Sequence, residues 1–117
     1  MKDLLAMQRK LQTVIEMHKG ASVLNKITVD EKQSASIEML LTIMVEAAEA
    51  LEWLNWKSWK TYQPLTQDKI DEFKLELIDM QHFLNNLYIV WDMDEEEVKE
   101  TYYKKHLENI RRQENGY

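Results

Sequence analysis

Two pairs of acidic residues stand inside strongly apolar runs: Glu46-x-x-Glu49 between Ile43 and Leu51, and Glu76-x-x-Asp79 between Leu75 and Met80. Residues three apart share one face of a helix, so each pair points two carboxyl groups the same way. Brought face to face, the pairs form a box of hard oxygen donors. Ionised carboxylates crowded in a low-dielectric bundle raise one another's pKa unless cations neutralise them. Oxygen-only ligation suits Mg²⁺ or Mn²⁺, ions that commonly act on phosphates. The plainer alternative makes Glu46 and Glu49 the solvated strip of an amphipathic helix. A second, matching pair on the next bundle helix favours the metal site.

Further residues flank this box. Trp53, Trp56, Lys57, Trp59 and Lys60 begin one helical turn beyond Glu49. The indoles suit either a core and dimer interface or stacking on a base, and the lysines beside them suit phosphate oxygens. Near the C-terminus, Lys104, Lys105, Asn109, Arg111 and Arg112 gather anion-binding groups. A basic helix end is also favoured by the macrodipole alone. His82 follows Asp79 by three residues, as in the Glu-x-x-His elements of di-iron bundles. Those bundles need two such elements and this chain has one, so His82 is read as a hydrogen-bonding pocket residue.

The elements that must position these groups are helices. Two Gly and one Pro in 117 residues leave little to build turns between strands. A first helix is expected from Asp3 to Lys19, with Leu4, Met7, Leu11, Val14 and Ile15 on one face and Gly20 as its stop. A polar connection to about Gln33 leads to a second helix capped by Ser34 or Ser36. Thr66 caps a third, whose seam is Ile70, Phe73, Leu77, Met80, Leu84, Leu87 and Trp91. Asp94, followed by Glu95, Glu96 and Glu97, starts a fourth that runs to about Gln113. The expected architecture is all-α, an antiparallel four-helix bundle forming a single domain over residues 1–117.

Composition excludes several classes. A formal charge of −6 argues against a nucleic-acid-binding surface and leaves a small anionic ligand as the better fit. With no Cys there is no disulfide framework, thiolate nucleophile or Cys-ligated zinc. No apolar run approaches the roughly 18 residues needed to span a membrane, and no signal peptide is seen, which implies a soluble, cytoplasmic protein without a membrane partner. A chain this short has little room for a deep private pocket, so a site shared between subunits is expected.

Taken together, these motifs resemble the all-α NTP pyrophosphohydrolases, MazG-like proteins and dimeric helical dUTPases, with the dUTPase branch the better match. The likeness rests on Met7-Gln8-Arg9-Lys10-Leu11, on Glu46-Ala47-Ala48-Glu49 continuing to Trp56-Lys57-Ser58-Trp59-Lys60, on Glu76 through Phe83, and on Lys105 through Asn109 with Arg112-Gln113 and Gly116-Tyr117. The resemblance implies that Glu46, Glu49, Glu76 and Asp79 bind Mg²⁺ and hold a triphosphate. It also implies that Gln8, Trp59 and His82 surround the uracil and deoxyribose, with Lys57, Lys60, Lys105, Asn109 and Arg112 near the phosphates. Larger members carry additional helices, so the missing elements are expected from a second copy, in a homodimer or higher homo-oligomer.

The implied reaction is hydrolysis of dUTP to dUMP and pyrophosphate, which requires charge neutralisation and an in-line water, with Glu46 or Glu49 as the general base. Three alternatives stay open at this stage. A MazG-like enzyme could act on another deoxynucleotide such as dCTP, the carboxylates could hold a dinuclear redox metal centre, or the chain could be a non-catalytic helical interaction protein.

Overall fold

A computed structural model describes residues 2–19 and 28–116 and contains four helices: α1 (Lys2–Lys19), α2 (Val29–Glu52), α3 (Gln67–Val90) and α4 (Glu95–Glu114). No strand occurs among the described residues, and the chain is an all-α helical bundle, as its composition implies. None of these helices is long and apolar enough to cross a membrane. The proposed stop at Gly20 lies outside the described residues.

Side-chain oxygens set the helix starts. Thr66 accepts from the Lys69 N–H at 3.3 Å and Asp94 from the Glu97 N–H at 2.8 Å, so both expected caps are in place. For α2 the sequence expectation is corrected. Its cap is Thr28, six residues before Ser34, and a reciprocal box joins Thr28 to Glu31. Glu31 satisfies the Thr28 N–H while Thr28 satisfies that of Glu31, which makes this the stronger start. Ser36 instead lies within the helix, donating to the Lys32 carbonyl and accepting from the Trp91 indole at 2.7 Å.

Helices α2 and α3 form an antiparallel hairpin. Lys32 pairs with Asp92, Ser36 with Trp91, and Met39 meets Asn86, so the partners run in opposite order along the two helices. The connecting loop is tied by the Asn55 amide donating to the Gln63 carbonyl at 3.0 Å. Helix α1 lies against the C-terminal half of α3, where Gln8 and Gln12 both reach Asn86. Helix α4 has no buried residue.

The apolar stripe of α1 is not the face that turns inward. Leu5, Gln8 and Gln12 are buried, whereas Leu4, Met7, Leu11 and Val14 are exposed. On α3 the buried residues are Asn85, Asn86, Ile89 and Val90; Leu77, Leu84 and Trp91 of the expected seam are exposed. Among the described residues the apolar core thus reduces to Leu5, Ala35, Met39, Ala50, Ile89 and Val90. Consistent with so thin a core, the radius of gyration is 17.7 Å. About 13 Å is usual for a chain of this length. The physical reason for both corrections is that the hairpin and α1 meet along a partly polar seam, leaving the larger apolar stripes on the outside.

Candidate metal centre

The antiparallel register of α2 and α3 carries Glu46 and Glu49 to the level of Glu76. One carboxylate oxygen from each of these three residues lies within 4.8 Å of the other two. Glu46 and Glu76 are half-buried and Glu49 is exposed, so the cluster opens to solvent on one side. The exposed Asp79 stands outside this tight set, yet its charge acts on Glu46. Burial first, then the hydrogen bond to Glu76 and the charges of Glu49, Glu76 and Asp79, raise the Glu46 carboxyl from 4.5 to about 7.

The donor set fits a hard divalent cation. All three groups are carboxylates, with neither Cys nor His in the cluster, which favours Mg²⁺ or Mn²⁺ over zinc. Glu76 adds an independent sign: its Oε2 is buried and has no hydrogen-bond partner. A buried acceptor without a donor costs about 1–3 kcal/mol, and a cation between the carboxylates would remove that cost together with their mutual repulsion.

The other expected site residues fall into separate groups. Trp59 is 72% exposed and meets Trp56 edge-on at 5.9 Å, while the Lys57 ammonium lies 5.4 Å from the Trp56 ring centroid. The Lys60 N–H donates to the Lys57 carbonyl, closing a turn that gathers the Trp and Lys residues beyond the end of α2. His82 is exposed on α3, three residues past Asp79 and four before Asn86, so these positions follow one stripe of the helix. Gln8 is 3% exposed, and its amide nitrogen donates to the Asn86 oxygen at 2.8 Å.

On α4, Lys105 and Arg112 flank Glu108, at 3.3 Å in the case of Lys105, and Asn109 is exposed beside them. The Lys105 hydrogen bond, followed by the charge of Arg112, holds the Glu108 carboxyl below its ordinary range.

Sequence reasoning missed the polar groups around Gln8. Gln12, Asn85 and Asn86 are all buried, and the Gln81 amide donates to Asn85 at 2.9 Å. A signal was available. Asn85-Asn86 interrupts an otherwise apolar stretch from Phe83 to Val90, and Gln8 and Gln12 lie one helical turn apart.

The described residues thus combine an all-α, strand-free fold with an oxygen-only cluster across a helix hairpin. Over residues 1–94 the chain matches the family described as dUTPase, and it belongs to this all-α, dUTPase-like NTP pyrophosphohydrolase family. Among curated proteins, the dCTP pyrophosphatase of Enterobacteria phage T4 is 44% identical over 46 residues, covering 39% of this chain and 27% of that protein. The dCTP pyrophosphatase of Enterobacteria phage LZ5 is 44% identical over 55 residues, covering 47% of this chain and 32% of that protein. The matched stretches thus span no more than about a third of these relatives. No solved structure matches the chain.

Proposed function

We propose that this protein is a Mg²⁺-dependent nucleoside triphosphate pyrophosphohydrolase that converts dUTP and water to dUMP and pyrophosphate. The observation that carries the reading is the convergence of Glu46, Glu49 and Glu76, with the buried Glu76 Oε2 lacking a donor. Asp79 completes the carboxylate set. Membership of the dUTPase family supports the reaction class. A second reading, dCTP as substrate, is supported by the names of the two phage relatives.

Bound Mg²⁺, or Mn²⁺ in its place, would neutralise charge on the carboxylates and the polyphosphate. The chain's own residues then have distinct tasks. A water aligned opposite the bridging oxygen loses its proton to a carboxylate of Glu46 or Glu49 as its oxygen bonds to phosphorus, and the bridging P–O bond breaks to release pyrophosphate. Glu49 faces solvent, where water enters, while Glu46 has the raised affinity for a proton. Lys57 and Lys60 meet the phosphates from the loop after α2, and Lys105, Asn109 and Arg112 from α4. Gln8, Trp59 and His82 surround the base and sugar.

The active form is a homodimer or higher homo-oligomer in the cytoplasm, with the site shared between copies. Exposure of Leu40, Leu41, Met44 and Val45 on α2, and of Leu4, Met7, Leu11 and Val14 on α1, supports this assembly, since such contiguous apolar faces mark interaction surfaces. Sedimentation across a concentration series tests it: a fully active monomer at micromolar concentration would overturn the shared site. Assay of pyrophosphate release from dUTP and dCTP in Mg²⁺ tests the reaction, and no release from either would refute it.

A further inference from the structure

Two apolar stripes lie on the outside of the described residues, one on α1 and one on α2. At about 100° of rotation per residue, Ile37, Leu41, Met44, Ala48 and Leu51 fall within an arc of about 80°. All five are exposed, and the arc lies opposite Ala35, Met39 and Ala50, the buried residues of α2. Helix α2 is therefore apolar on two opposite sides, the pattern of a helix covered all round, yet its buried residues lie on one of them only. On α1, Leu4, Met7, Leu11 and Val14 occupy a second exposed arc, about a third of a turn from the buried Leu5, Gln8 and Gln12.

Within one copy neither stripe can cover the other. Helix α1 is fixed to α3 by Gln8 and Gln12 at Asn86, while the α2 stripe is turned away from α3. A second copy covers both at once, because a two-fold axis that sets α1 of one copy on α2 of the other also sets the reverse pair. The lengths agree: the α1 stripe rises about 15 Å and fits within the roughly 21 Å from Ile37 to Leu51. Charge selects this pairing over α2 against α2. Helix α2 has six acidic residues and Lys32 as its sole basic one, so two copies of it repel. In α1, Lys2, Arg9, Lys10 and Lys19 outnumber Asp3 and Glu16, so α1 against α2 joins opposite net charges.

We propose that the α1 stripe of one copy packs on the α2 stripe of a second copy, in a two-fold dimer held by two identical α1–α2 seams. Met7 and Met44, 66% and 65% exposed within one copy, stand near the middle of their stripes and meet across each seam. The inference rests on the homo-oligomer reading and deepens it by naming the two surfaces that join. It does not depend on the reaction, since Glu46 lies on the side of α2 opposite Met44.

Two measurements test this. The chain has no Cys, so single cysteines report contacts without background. Met7→Cys and Met44→Cys proteins are mixed, allowed to exchange and treated with a short bismaleimide, whose reach tolerates a small offset in register. Linked dimers in the mixture, with few in either protein alone, support the pairing. Efficient linkage of Met44→Cys to itself, or no linkage in the mixture, overturns it. The second measurement is sedimentation of wild type, Met7→Asp and Met44→Asp, with helicity followed by circular dichroism. Both positions are exposed within one copy, so the helices should persist. Each substitution is expected to raise the dimer dissociation constant about a hundred-fold or more, because it desolvates a carboxylate at each seam. An unchanged constant in either variant overturns the pairing and leaves the homo-oligomer reading standing, whereas a wild type that is monomeric at every concentration sinks both.

Discussion

Glu46 on α2 and Glu76 on α3 meet across the helix hairpin, a carboxylate oxygen of each lying within 4.8 Å of the other. Two carboxylates drawn together in a partly buried setting form a site that gains by binding either a proton or a cation. The competition between the two gives the centre its measurable signature.

The raised pKa of Glu46 couples stability to pH. Between 4.5 and about 7 the folded protein holds a proton that the unfolded chain has released. This contribution is present in full below 4.5, and stability falls as pH rises toward 7 and the proton is lost. Thermal melting of metal-free protein should therefore show a midpoint declining across this window, with the decline absent in Glu46→Gln and suppressed by millimolar Mg²⁺. Equal slopes in wild type and Glu46→Gln would refute the coupling.

Removing charge from Glu76 separates stability from activity. In Glu76→Gln an amide nitrogen can donate to Glu46 where the wild-type protein has a buried, unpartnered oxygen. A gain of about 1–2 kcal/mol in metal-free stability is expected, together with loss of turnover. Glu49→Gln and Asp79→Asn should likewise abolish turnover with helicity unchanged by circular dichroism. Wild-type rates in both of the latter would contradict a carboxylate metal centre.

Glu108 engages Lys105 and Arg112, basic groups of α4 that the proposed function assigns to the phosphates. If those groups meet polyphosphate, Glu108→Gln should lower KM by about two- to five-fold at low salt, the range expected for exposed ion pairs, with the effect fading as ionic strength rises. An unchanged KM would place the α4 cations away from the phosphates.

Asp92 closes α3 in a left-handed conformation, φ 57°, with the Met93 N–H returning to the Tyr88 carbonyl at 2.9 Å. Gly is the usual residue at such a position. Here Asp92 also accepts from Lys32 at 2.6 Å and so ties the end of α3 to the first turns of α2. Relief of backbone strain and loss of the ion pair act in opposite directions in Asp92→Gly, so its melting midpoint should stay close to wild type. Asp92→Val suffers both penalties and should lose about 1–2 kcal/mol.

Much of this arrangement was legible in the sequence, and the exceptions have physical causes. Helix caps are local, so Thr66 and Asp94 could be read directly. Thr28 was legible in principle, because Thr-x-x-Glu is a capping signature, but the serines downstream offered competing caps. The clustering of Glu46, Glu49 and Glu76 also follows from their spacing, since positions three apart must share a helix face, whereas Asp79 stands outside the tight set. Which face of α1 turns inward was not legible. Periodicity marks Leu4, Met7, Leu11 and Val14 as an apolar stripe, yet it cannot separate a stripe that meets the chain's own core from one left on its surface. Gln8 and Gln12 could be recognised as inward-facing only once Asn86 was known to stand opposite.

The most direct test of the central claim is pyrophosphate release from dUTP, dCTP, dTTP, UTP and dATP, measured in Mg²⁺ and again in EDTA. Rapid release from dUTP, or from dCTP on the second reading, is expected, abolished by EDTA and restored by Mg²⁺. Release from no nucleotide, or release indifferent to EDTA, would contradict a metal-dependent pyrophosphohydrolase built on Glu46, Glu49, Glu76 and Asp79.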